Sequence, residues 1–273
     1  MLKLAVVGAQ TLLGRELVRG LETRDCSVLP LATGPLSMGE EEGDLVVFAP
    51  DPILLEGLDL VILADSPKAE NLLEGFPGRI LDLRDDADPK SADPIPLGGL
   101  WPPTVLRYRG RPALEQVLAT LPSLMEGLGG VSGTHLRSIA SLGDRGLDGL
   151  LEQTLAVVQG EEPNIEKLGY RAAFEVIPQI PRGSLVEVRV PVFHGDLLVL
   201  HLRAAEGQRL AKKEAPQGMA WVDTPPSSRA VAVSAELLAH LSLSEDAQSG
   251  VLTLGFDPIL WGTLRPVMRL LGF

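Results

Sequence analysis

The chain has 273 residues, 45% of them hydrophobic, only 4% aromatic and 22% charged, with a net charge of −12. Such an acid excess disfavours a phosphate-backbone surface, which needs clustered Lys and Arg, so nucleic acid is not an expected partner. A single cysteine, Cys26, excludes an intramolecular disulfide and a multi-thiolate zinc site and fits a reducing, cytoplasmic setting, and the opening apolar run stops too soon, at Gly8, for a signal peptide or membrane span.

The first element is Leu2–Val7, a β-branched apolar run that reads as a buried parallel strand. A helix follows, with Thr11 as its cap and Leu13, Leu17, Val18 and Leu21 at helical spacing. Strand-like runs recur at 28–33, 45–49, 58–64 and 79–83, with a short helical stretch at 68–73. This alternation predicts an α/β fold whose first part is a Rossmann-like doubly wound parallel sheet. Residues 84–103 then lose periodicity and gather Asp85, Asp86, Asp88 and Asp93 with five prolines, which reads as a solvated loop rather than a metal site.

Beyond it, Pro112 opens a helix carrying Leu114, Val117, Leu118 and Leu121 on one face, and residues 144–160 form another, with Leu147, Leu151, Leu155 and Val158 expected inward. Residues 184–205 read as a hairpin turning at His194-Gly195-Asp196, the core of a second α/β domain with a mixed, largely antiparallel sheet. Val251–Leu254 is a further strand, and Asp257-Pro258 caps a last apolar segment interrupted by Pro266. The expected division is 1–110, 111–250, and a terminal segment 251–273 that returns to the first domain.

Chemistry-bearing residues are few. The loop Gly8, Gln10, Thr11, Leu12, Leu13, Gly14 lies where a dinucleotide pyrophosphate would meet helix amides. Thr11, however, stands where backbone must approach phosphate, and no acidic ribose ligand ends the second strand, so the loop reads first as the structural βα turn of the fold. His135, His194, His201 and His240 show no ligand spacing, and no metal site is expected. Cys26 does not open a helix and reads as an inert thiol. Arg189, a charge inside a strand of valines, reads either as an ion-pair partner of Glu187 or as a holder of an anionic ligand.

Taken together, these segments resemble the aspartate-semialdehyde dehydrogenase family. The likeness runs through Leu4–Leu17 (LAVVGAQTLLGREL), Leu31–Thr33, Arg145–Thr154 (RGLDGLLEQT), Phe174–Ile180 (FEVIPQI), Val188–Phe193 (VRVPVF) and Asp257–Gly262 (DPILWG). The resemblance implies a Rossmann-like cofactor domain, a dimerisation domain and a homodimer. It also implies an activity in which a cysteine thiolate at a helix N-terminus, in a Pro-Asn-Cys context, attacks an aldehyde and forms a thioester after hydride transfer to NADP.

Against that pattern, the nucleophile's context is Pro112-Ala113-Leu114, the family's glutamine aligns with Arg137, and its flexible Ser-Gly-x-Gly becomes Ala140–Gly143. The catalytic histidine aligns with Asp196, while Arg189, the family's carboxylate-binding arginine, is retained. The segment that would meet a 2′-phosphate is Thr33-Gly34-Pro35, and Gln179–Arg182 runs almost at once into the next strand, where typical members insert a helical segment. The sequence looks most like a shortened member of the cysteine-lacking, Usg-type branch.

The expectation is therefore a catalytically inactive homologue with no catalytic residues, acting by binding or interaction. Arg189 and Arg137 are its candidates for a substrate anion. No resident cofactor is expected, NADP or NAD being the group the resemblance would imply, and the partner is a second copy, an active family member or another protein. The alternative is an NAD(P)-dependent oxidoreductase that acts on an aldehyde or oxo group without a thioester.

Overall fold

A computed structural model describes residues 1–34, 45–66, 71–84, 87–88, 90, 92–179 and 183–273. The chain divides into two compact units, Met1–Pro112 with Thr263–Phe273, and Ala113–Gly262.

The first unit is built on six parallel strands, β1 (Leu2–Val7), β2 (Cys26–Leu31), β3 (Leu60–Leu63), β4 (Arg79–Asp82), β5 (Asp93–Pro94) and β6 (Arg107–Arg109), in the order β2-β1-β3-β4-β6-β5. Chain order reverses at β1, so the crevice beyond the C-terminal ends of β1 and β3 is the switch point where α/β sheets hold ligands. Helix α1 (Leu12–Glu22) buries Leu17, Val18 and Leu21, each worth about 1.5–3 kcal/mol. Thr11 caps it as expected, its hydroxyl accepting from the Gly14 amide.

Residues 45–49 contribute only a parallel bridge, Leu31 with Phe48, rather than a strand. The expected helical stretch at 68–73 falls partly outside the described residues, and 71–75 form turns. Of the acidic loop, Asp85 and Asp86 lie outside the described residues, whereas Asp93 sits in the two-residue strand β5.

The second unit opens with α2 (Ala113–Leu118) and α3 (Leu121–Leu124), two short helices where the periodicity predicts one. The Thr120 hydroxyl donates to the Val117 carbonyl, and Pro122, which has no amide to give, starts the second piece. Strand β7 (Met125–Glu126) leads into β8 (Leu128–Arg137), then α4 (Gly143–Gln159), β9 (Ile177–Pro178), β10 (Leu185–Arg189) and β11 (Asp196–Ala204). Strand β12 (Ala211–Lys212) pairs with β7, and β13 (Met219–Trp221), α5 (Ser228–Ala232), β14 (Leu237–Leu243) and β15 (Ser249–Phe256) follow. The large mixed sheet has the order β13-β14-β15-β11-β8-β10-β9.

The expected hairpin is not there: β10 and β11 both pair with β8, which lies between them, parallel to β10 and antiparallel to β11. Alternating valines and leucines report that each arm is a strand; they do not report which strand sits beside it. The polar, glycine-rich β8 carries no such alternation. Two of its glycines are there for space, since a Cβ on Gly133 would lie 2.1 Å from the Val199 carbonyl oxygen and one on Gly129 2.6 Å from the Ala205 backbone.

Helix α4 also differs from expectation. It turns Gly146, Gly149, Leu150 and Gln153 inward and leaves Leu151, Leu155 and Val158 at 49%, 50% and 72% exposure. The glycine face is the packed one because a Cβ on Gly146 would meet the Ile139 carbonyl at 2.7 Å and one on Gly149 the Leu168 side chain at 2.8 Å. The last strand, β15, belongs to this sheet, so the return to the first unit begins at Thr263 rather than at residue 251. There α6 (Arg265–Leu271) buries Val267, Met268 and Leu270, and the Leu270 carbonyl accepts from the Trp101 amide at 2.9 Å.

Candidate functional site

In the first unit the βα loop is closed on itself. The amides of Gly8 and Ala9 donate to the Leu31 carbonyl, that of Thr11 donates to the Gly8 carbonyl, and that of Gly14 donates to the Thr11 hydroxyl. The same hydroxyl donates to the Gly8 carbonyl at 2.8 Å, and the Arg15 guanidinium holds the Gln10 carbonyl. Gln10 reaches to the segment that leaves β2, its Nε2 donating to the Thr33 hydroxyl at 2.8 Å. Gly8 (φ +88°) abuts Asp65, and a Cβ on Gly14 would lie 2.0 Å from the Gly8 carbonyl, so both glycines serve the packing of strand, loop and helix.

These residues do not fit a dinucleotide pyrophosphate. Such a group needs free amides at the helix N-terminus and a backbone approach clear of side chains. Here the Thr11 and Gly14 amides are engaged within the loop, and Thr11 carries a side chain at the position where the backbone must come close.

The same edge of the sheet holds a charge cluster that the sequence pattern does not reveal. Asp82, fully buried at the end of β4, accepts from Arg84 Nε and Nη2 at 2.7 and 2.8 Å and from Arg107 Nη2 at 2.9 Å. Burial pushes its carboxyl up, but the hydrogen bonds from Arg84 and Arg107 outweigh it and hold the group below the usual aspartate range. Cys26 is partly buried, with its thiol against the Leu21 carbonyl at 3.1 Å, and burial with the nearby Asp25 pushes its pKa up. That is the opposite of what a thiolate nucleophile needs.

In the second unit the two candidate arginines come together. In the parallel register of β8 and β10, Arg137 stands opposite Arg189 and His135 opposite Glu187, so all four share one face of the sheet. Glu187 does not pair with Arg189. Its Oε1 accepts from Arg137 Nη1 at 3.3 Å, and Arg137 Nε donates to the Ser141 hydroxyl at 2.7 Å.

Arg189 lies over the Tyr170 ring, 5.0 Å from its centre, and neither its Nε nor the Tyr170 hydroxyl has a hydrogen-bond partner among the described residues. Tyr170 is placed by Gln153, a fully buried amide whose Nε2 donates to the Tyr170 carbonyl and whose Oε1 accepts from the Ala172 and Ala173 amides.

Asp196 begins β11 on the same face and is 1% exposed. Its Oδ1 accepts from the Ser138 amide at 2.8 Å and hydroxyl at 2.6 Å, and its Oδ2 lies 2.8 Å from His135 Nε2. His135, 3% exposed, stacks on Phe256, and its Nδ1 has no hydrogen-bond partner but faces Glu187 Oε2 at 3.9 Å. With acceptors only on Asp196, the proton of a neutral imidazole sits on Nε2 and Nδ1 is bare.

Sequence reasoning reached Arg137, Arg189 and Asp196 but not His135, Ser138, Glu187 in its actual pairing, Tyr170 or Gln153. Leu114, which the resemblance sets against the family's nucleophile, is half-buried against the apolar core of the second unit. His194, His201 and His240 have no part in this cluster. Among the described residues no group of three or more His, Cys, Asp and Glu could hold a metal ion, and no helix is long and apolar enough to cross a membrane.

No family model matches the sequence, and no curated protein does. Solved structures match along almost all of it. A probable aspartate-semialdehyde dehydrogenase from Pseudomonas aeruginosa is 21% identical with a TM-score of 0.74, the match covering 98% of this chain and 97% of that one. Aspartate semialdehyde dehydrogenase II from Vibrio cholerae, complexed with ASA, is 16% identical over 99% and 97% with the same TM-score. The enzyme from Francisella tularensis is 13% identical over 99% of both chains with a TM-score of 0.72. A parallel six-stranded sheet, a seven-stranded mixed sheet and a chain that returns to its first unit thus give this protein the fold of the aspartate-semialdehyde dehydrogenases.

Proposed function

We propose that the protein is an aspartate-semialdehyde dehydrogenase homologue of the Usg type, without aldehyde chemistry, that binds a small oxyanion on the β8–β10 face and works by binding or interaction. The observation that carries this reading is Asp196. In the position of the family's base it is closed off from solvent, with Oδ1 held by Ser138 and Oδ2 against His135, so it has no free oxygen to take a proton from a substrate.

Leu114 has no nucleophilic atom, and Cys26, the sole thiol, is a poor thiolate. The cofactor loop, closed on itself, supports a protein that works without NADP or NAD. The retained function is then the charge of the face. Arg189 has no carboxylate partner among the described residues, and its planar guanidinium, over the Tyr170 ring, suits a carboxylate or other small oxyanion.

The protein is a cytoplasmic homodimer in this reading. Supporting a second copy as partner, α4 exposes Leu151, Leu155 and Val158 at i, i+4 and i+7, an apolar stripe that a monomer would leave in water. Calorimetric titration with sodium sulfate tests the anion site. Binding that is lost in Arg189→Ala supports it, and binding that is unchanged in that variant refutes it.

A further inference from the structure

We propose that His135 is a buried proton acceptor that couples anion binding on the β8–β10 face to proton uptake, by exchanging Glu187 between two partners. This rests on the anion-site reading given above. Glu187 lies between two groups that want a carboxylate: Arg137 Nη1, 3.3 Å from Oε1, and His135 Nδ1, 3.9 Å from Oε2.

The first contact is long for a charged hydrogen bond, and the second is a buried nitrogen without a partner. A movement of about 1 Å by a side chain that is 29% exposed would close the second contact to hydrogen-bond length. The closure is favourable only if Nδ1 carries a proton, because a bare imidazole nitrogen repels a carboxylate oxygen.

The charges around His135 set the sign. From β8 comes Arg137, from β10 Glu187 and Arg189, from β11 Asp196; β15 contributes the uncharged Phe256, and the segment after α4 places Tyr170 over Arg189. With His135 neutral, two guanidiniums balance two carboxylates, and Arg137 is masked. A proton on Nδ1 gives the face a net positive charge and gives Glu187 a second place to go, which bares Arg137 beside Arg189. An anion that bridges the two guanidiniums therefore favours the protonated imidazole, and by reciprocity the proton favours the anion.

The test is calorimetric titration of the full chain with sodium sulfate between pH 5.5 and 8, in buffers of different ionisation enthalpy. Sulfate does not itself titrate in this range. The expected results are tighter binding as pH falls, proton uptake on binding in the wild type, and loss of that uptake in both His135→Gln and Glu187→Gln. Glu187→Gln also binds about tenfold more tightly at pH 8, because Arg137 is unmasked. Uptake that persists in Glu187→Gln, or binding without uptake in the wild type, overturns the proposal.

Imidazole ¹⁵N NMR reads the exchange without any anion. A lower titration midpoint for His135 in Glu187→Gln supports the coupling of the two groups, and an unmoved midpoint overturns it. Absence of sulfate binding in every variant defeats the anion-site reading instead, and the midpoint still decides whether Glu187 and His135 are coupled.

Discussion

Arg137 and Arg189 stand directly opposite each other on two parallel strands, and Arg137 alone of the two has a carboxylate partner among the described residues. Like charges in register destabilise a sheet, so the pair is tolerated through Glu187 on one side and the Tyr170 ring on the other. Arg189→Lys is expected to weaken sulfate binding by at least about tenfold, since an ammonium does not offer the planar fork. Arg189→Ala removes binding altogether. Calorimetry on the two variants checks the order.

The closed βα loop predicts that millimolar NADP or NAD leaves the thermal midpoint unchanged. A ligand at a thousand times its dissociation constant would add about 4 kcal/mol to stability, an effect no scan would miss. Thr11→Ala, which deletes the helix cap, is expected to cost about 1 kcal/mol in denaturant unfolding. A clear upward shift of the wild type with either nucleotide contradicts the reading of the loop.

Asp82 gives the first unit an acid sensitivity with a definite sign. Its folded pKa is lowered, so at pH values below the ordinary aspartate value of about 4 the unfolded chain binds a proton that the folded chain resists. The stabilisation is fully present above that value and fades as pH falls through the folded pKa. Denaturant unfolding from pH 6 to pH 2.5 should therefore show a loss of stability that is smaller in Asp82→Asn, a variant already less stable at pH 6 because Arg84 and Arg107 lose the buried carboxylate that accepts their hydrogen bonds. An identical pH slope in the two proteins would refute this.

The α4 stripe predicts the oligomeric state. Leu151→Glu with Leu155→Glu puts two charges where an interface would have to be dry, so the wild type should sediment as a dimer and the double variant as a folded monomer. A wild-type monomer, or a variant that remains dimeric, would remove this surface from the account.

The elements legible in the sequence are the local ones. Leu2–Val7, the Thr11 cap and the α1 stripe follow from neighbours a few residues apart, and the parallel first sheet follows from their alternation with further apolar runs. What is set by distant backbone is not legible. Strand β8 is a strand because β10 and β11 close on either side of it, and its Gly133 answers to Val199, sixty-six positions away on roughly the same count that separates His135 from Asp196. The inward face of α4 is marked by glycines that admit a close neighbour, so counting apolar residues finds Leu147, which packs inward, and then follows Leu151, Leu155 and Val158 away from that face.

The candidate site divides in the same way. Arg189 is conspicuous because it interrupts a run of valines, and Arg137 and Asp196 emerge from the family resemblance. The partners that give these residues their chemistry, His135, Ser138, Tyr170 and Glu187, depend on strand order and so required the fold.

The central claim is that the dehydrogenase fold persists here without the dehydrogenase reaction. It is tested most directly by assaying NADP-dependent oxidation of aspartate semialdehyde with phosphate present, on the wild type and on Cys26→Ser. The account predicts no turnover above background in either protein; a rate within the ordinary enzyme range of about 1–1000 per second that survives Cys26→Ser would contradict it.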